Sequence, residues 1–129
     1  MIVDTSALMA VLLREDGWTR YARALGEADV VLLSAATFVE AGIVAEGRGG
    51  PDLATALDEL LTEVGAQVWP VSVRHAQEAR DAWRRFGKGN HPARLNFGDC
   101  FAYALAKRTG DDLLFKGDDF AQTDVKSAL

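Results

Sequence analysis

Four short apolar runs, separated by longer segments of helical period, constrain this chain more than any other feature. Ile2–Asp4, Val30–Leu33, Gln67–Val71 and Leu113–Lys116 are too short for helices and carry β-branched or bulky apolar residues, so they read as strands. The segments Ser6–Arg14, Asp16–Leu25, Ser34 to about Glu46, Asp52–Val64, Ser72–Phe86 and Asn96–Thr109 read as helices. Thr5 or Ser6 is expected to cap the first and Ser34 the third. The RGGP run of Arg48–Pro51 should end the third helix, and Gly110 the last. Strands of this kind alternating with helices specify an α/β domain with a mainly parallel sheet covered on both faces. No repeat, low-complexity tract or linker divides the 129 residues, so one domain spanning 1–129 is expected.

Composition narrows the function. Apolar runs such as Ala7–Leu13 fall far short of the roughly 20 residues of a membrane span. The N-terminus has no basic region, and Asp4 interrupts what would be a signal peptide's apolar core. The single cysteine, Cys100, excludes an internal disulfide and suits a reducing cytoplasm. A net charge of −5 argues against a protein that coats nucleic acid with a basic surface. It permits an enzyme that meets nucleic acid through metal ions, because the acids holding those ions count as negative. Lys and Arg outnumber acids by four from Arg80 to Arg94, which marks either a solvated helix face or a phosphate-contacting patch.

The acids occupy informative places. Parallel sheets bind ligands at the carboxyl ends of their strands, where Asp4 and the pair Asp118/Asp119 fall. Glu40 lies in an apolar helix turn between Ala36, Thr37, Ile43 and Val44, expected to be buried on most sides, where an unpaired carboxylate costs several kcal/mol. Asp99 sits three residues after Asn96, a capping-box spacing. Each acid has an ordinary reading alone: turn residue, snorkelling side chain or cap. Together they place three or four carboxylates in one crevice if the segments converge. Two unit charges about 4 Å apart repel by about 4 kcal/mol at an effective dielectric of 20, so such a cluster holds protons or a cation. The scattered Cys100, His75 and His91 do not suit zinc; oxygen ligands select a hard ion, Mg²⁺ or Mn²⁺, the equipment of phosphoryl transfer.

MIVDTSALMAVLL, SAATFVEAGIV, LNFGDCFAYALA and LLFKGDDFAQTDV, in this order and spacing, resemble the PIN-domain ribonucleases, most of all the VapC-type toxins of toxin–antitoxin pairs. The resemblance implies a three-layer α/β/α sandwich around a mainly parallel sheet of four to five strands. It implies Mg²⁺- or Mn²⁺-dependent endonucleolytic cleavage of RNA by metal-activated water. The site acids would be Asp4, Glu40, Asp99 and one of Asp118 and Asp119, with Asp4 and Asp99 as direct metal ligands. Ser6 would orient Asp4 or a water, and Asn96 would support Asp99. Arg84, Arg85 and Lys88, with Trp83, are candidate RNA contacts. The implied partners are a VapB-type antitoxin, through which operator DNA is bound, and a second copy of the chain as homodimer. Leu12, Leu13, Trp18 and Tyr21 would line the antitoxin groove or pack in the core. Two rival classes are a phosphoacceptor receiver domain, poorly served because neither the second nor the third strand ends in Asp, and a non-catalytic interaction module whose acids are caps and surface charges.

Overall fold

The computed structural model describes residues 1–129. In chain order the elements are β1 (Ile2–Val3), α1 (Thr5–Leu12), α2 (Trp18–Glu27), β2 (Leu32–Ser34), α3 (Ala35–Glu63), β3 (Gln67–Trp69), α4 (Val73–Phe86), α5 (Phe97–Thr109) and β4 (Leu113–Leu114). A single turn of 3₁₀ helix follows at Phe120–Gln122. The strands form one parallel sheet in the order β3-β2-β1-β4, with β1 at its centre although it comes first in sequence. Ser127 adds an isolated parallel bridge to Leu113 beyond β4.

Strand alternation builds the three layers. Ile2 is in register with Leu32 and with Leu113, and all three side chains enter one core with Leu95, Phe101, Tyr103 and Leu105. The next residue of each strand, Val3, Leu33 and Leu114, points the other way into a second core with Leu8, Tyr21, Leu25, Leu57 and Leu61. Helices α1, α2 and α3 therefore cover one face, and α4 and α5 the other. α5 is the most enclosed helix: every residue from Gly98 to Ala106 is buried.

Several local expectations are revised. Asp4, not Thr5 or Ser6, caps α1, because its carboxylate reaches the Ser6 N–H. The RGGP run does end one helix, as expected, but a second follows at once, the two meeting at a kink within α3. Gly50 takes φ 67° and ψ −163°, a conformation almost reserved for glycine, and Pro51 begins the next helical turn. The first half of α3 is not enclosed on most sides. Thr37, Ala41 and Ala45 face the core, whereas Phe38, Val39 and Ile43 are exposed. β3 is likewise not covered: all three of its residues are exposed at the sheet edge. Tyr21 belongs to the core, while Leu12, Leu13 and Trp18 are half-buried. No helix is long and apolar enough to cross a membrane.

Candidate active site

The carboxyl ends of β1 and β4, the first turns of α1 and α5, and the middle of the first half of α3 converge on a cavity of about 450 Å³. Its lining includes Asp4, Ser6, Glu40, Asn96, Asp99 and Asp119. Asp118 does not line it, so of the adjacent pair the chain turns Asp119 toward the other acids. A larger depression of about 660 Å³ opens near Met1, Arg20, Arg23 and Asp111. There the acids face cations, such as the Met1 ammonium 3.9 Å from Asp111, and no buried side-chain atom is left without a partner.

Asp4 is held by the residue two positions on. Its Oδ2 accepts the Ser6 backbone N–H at 2.9 Å and the Ser6 hydroxyl at 2.6 Å. Ser6 Oγ accepts in turn from the Lys116 backbone N–H at 3.0 Å, tying the exit of β4 to that of β1. Asp4 Oδ1 is buried with no hydrogen-bond partner, as is the neighbouring Thr5 Oγ1. Burial raises the proton affinity of Asp4, the two Ser6 hydrogen bonds lower it, and the charge of Glu40 raises it; the net effect is upward.

Asp99 is both a helix cap and a member of the acid cluster. Asn96 Oδ1 accepts the Asp99 N–H and Asp99 Oδ2 accepts the Asn96 N–H, each at 2.9 Å, completing the capping box. The box engages only one of its two carboxylate oxygens. Burial above all pushes the Asp99 carboxyl up to about 7; the Asn96 N–H, next in size, opposes it, and the charges of Asp4, Glu40 and Asp119 add to the rise.

Glu40 makes no hydrogen bond or ion pair; it lies against α5 where residue 98 is glycine. A methyl group at Gly98 would overlap Glu40 Oε2 and crowd Cδ. The absent side chain therefore makes the place in which the Glu40 carboxylate sits. Sequence reading did not single out Gly98, although a glycine in the first turn of an otherwise well-formed helix was the available signal.

The basic residues of Arg80–Arg94 lie elsewhere. Arg84 pairs with Asp81, and Arg85 donates to the Tyr103 hydroxyl at 3.2 Å and to Asp124 at 3.3 Å. Lys88 is exposed, and none of the three lines the cavity. The cations that do line it are Arg48 and Lys116. Glu40, Val44 and Arg48 follow at four-residue steps along one face of α3, and Lys116 follows β4; both signals were present in the sequence.

No three acidic, histidine or cysteine side chains are drawn tightly enough to enclose an ion by themselves. An all-oxygen donor set, the orphaned Asp4 Oδ1 and mutual repulsion that holds protons on the cluster all fit a hard divalent cation. The same repulsion predicts a pH signature. With the Asp99 carboxyl at about 7 when folded against 3.8 as reference, its contribution to stability is complete below about 4 and lost as pH rises through 7. In metal-free solution, thermal melts of the wild type should therefore lose more stability than those of Asp99→Asn between those limits. Parallel profiles would contradict the assignment.

Comparison with known proteins places this arrangement. The PIN domain family model matches residues 1–126. The chain is 52% identical over 130 residues to VapC ribonuclease Mb0625 of Mycobacterium bovis and, equally, to Ribonuclease VapC28 of Mycobacterium tuberculosis, covering 100% of this chain and 98% of each relative. Ribonuclease VapC42 of Mycobacterium tuberculosis is 43% identical over 129 residues, 99% of this chain and 98% of that one. The crystal structure of Mycobacterium tuberculosis VapC20, described as a Sarcin-Ricin loop cleaving toxin, superposes with a TM-score of 0.77 at 21% identity, over 96% of this chain and 95% of that one, a likeness of fold. With its whole length matched in sequence and its acids gathered at the carboxyl edge of the sheet, the chain belongs to the VapC family of PIN-domain proteins.

Proposed function

We propose that this protein is an endoribonuclease, the toxin of a toxin–antitoxin pair, and that a divalent cation, Mg²⁺ or Mn²⁺, is its cofactor. The observation that carries the site is the buried, unpartnered Asp4 Oδ1 in a cavity shared with Glu40, Asp99 and Asp119. VapC relatives named as ribonucleases, matched over the full chain, carry the activity. Asp4 and Asp99 would hold the ion, their carboxylates being fixed by the Ser6 and Asn96 hydrogen bonds. Bound there, the ion would supply the positive charge that steadies a phosphodiester and eases ionisation of water.

The chain's own groups do the rest. Ser6 fixes the rotamer of Asp4, and Asn96 fixes that of Asp99, so neither carboxylate must reorganise when substrate arrives. Glu40, free of hydrogen bonds and lining the same cavity, would accept a proton from water attacking the phosphate, with Asp119 rather than Asp118 as the fourth acid. Asp4→Asn or Asp99→Asn should abolish RNA cleavage while leaving the fold intact, read by mapping RNA 5′ ends after induced expression. Cleavage undiminished by EDTA would refute the metal's role. Gly98→Ala should displace Glu40 and lower cleavage by roughly 10²-fold, the scale expected for a misplacement of about 1 Å. Unchanged cleavage with an unchanged melt would contradict that placement.

The partners follow from the same reading: a VapB-type antitoxin, with operator DNA reached only through it, and an RNA substrate. A cytoplasmic site of action agrees with the single buried thiol, Cys100. Self-association is supported by the apolar Phe38, Val39 and Ile43 of α3 and by Phe97 at the head of α5, all exposed in the single chain. Ile43→Asp should convert a dimer to a monomer in light scattering; an unchanged mass would place the contact elsewhere.

A further inference from the structure

Helix α1 ends in a left-handed turn without glycine. Arg14 takes φ 49°, its N–H bonds Val11 O at 3.2 Å, and the Glu15 N–H bonds Ala10 O at 2.9 Å, the paired bonds of a Schellman closure. A non-glycine residue there costs on the order of 1 kcal/mol. The result of this turn is the placement of Glu15 at the acid cavity, beside Lys116 and Arg48. Glu15 Oε2 accepts from Lys116 Nζ at 2.5 Å, and Glu15 Oε1 lies 4.0 Å from Arg48 Nη2.

Stability gives a weak reason for this arrangement. The three side chains are partly exposed, 31% for Glu15 and Lys116 and 59% for Arg48, and pairs of that kind contribute little. Binding gives a stronger one. Lys116 and Arg48 are the only basic residues lining a cavity that also holds four site acids. Lys116 is fixed by its backbone to Ser6, one hydrogen bond from Asp4, and Arg48 stands two turns along α3 from Glu40. An RNA strand approaching a chain of net charge −5 meets repulsion except where such cations meet it. A carboxylate shared between an ammonium and a guanidinium occupies the position of another singly charged group with two acceptor oxygens, a phosphodiester.

We propose that Lys116 and Arg48 bind a backbone phosphate of the RNA next to the scissile one, and that Glu15 occupies that phosphate's place until RNA displaces it. The proposal rests on the ribonuclease reading above and assigns the substrate's phosphate a site within it.

The test is binding of a short fluorescein-labelled single-stranded RNA of random sequence, by anisotropy at several salt concentrations, in an Asp4→Asn background that prevents cleavage. Glu15→Gln should tighten binding about fivefold, the size of one unit-charge interaction at contact distance in water. Lys116→Met and Arg48→Gln should each weaken binding and lower the slope of log affinity against log salt by about 0.7, the value for one single-strand phosphate contact. Adding Lys116→Met to Glu15→Gln should cancel most of the gain. If the three residues only brace one another, Glu15→Gln leaves affinity unchanged or weakens it, and the proposal falls; thermal melts establish that each variant is folded. Cleavage by the otherwise wild-type protein separates the two readings. Cleavage without tightening by Glu15→Gln removes the phosphate site alone, whereas salt-dependent binding with no cleavage removes the ribonuclease reading and leaves Lys116 and Arg48 as an anion site.

Discussion

The Ser6 side chain is the tie on which the rest of the arrangement depends. It donates to Asp4 and accepts from the Lys116 backbone, so one hydroxyl joins the end of β1, the start of α1 and the exit of β4. Without it, the buried carboxylate at the end of the central strand would keep only the Ser6 backbone N–H on Oδ2, and the link to β4 would be lost. With it, one oxygen is satisfied and the other is left to attract a cation. Capping, strand order and electrostatics meet in this one hydroxyl.

The same economy governs Asp99. A capping box and a ligand role look like competing explanations, but a carboxylate has two oxygens and the box uses one. The box makes the residue a better site group by holding it still among charges that would otherwise drive it away. Gly98 beside it completes the local logic, since α5 contributes a rigid acid and, one residue earlier, an empty space for the acid from α3.

Much of this was legible in sequence, and the failures have common causes. Alternation of Ile2/Val3, Leu32/Leu33 and Leu113/Leu114 between two cores follows from strand geometry, and the apolar runs announced it. The Asn96–Asp99 box and the break at Gly50–Pro51 are local chemistry, carried by adjacent residues. What failed depended on long-range placement. The exposure of Val39 and Ile43 depends on which neighbours α3 meets, and the open face of β3 depends on strand order. The run of arginines near Arg84 left a solvated face and a phosphate-contacting patch equally open, and the structure sets it apart from the acid cavity. The cations beside the acids, Arg48 and Lys116, are 68 residues apart.

Strand order also has a consequence for biosynthesis. β1 is made long before its neighbour β4 and the acid Asp119, and Ser6 waits 110 residues for its partner Lys116. Contacts so distant in sequence form late. A growing chain therefore carries an unfinished crevice until β4 is made, and a chain truncated before β4 lacks both the strand that flanks Asp4 and the fourth carboxylate. This topology delays assembly of the four carboxylates until the segment from β4 to Asp119 has been made.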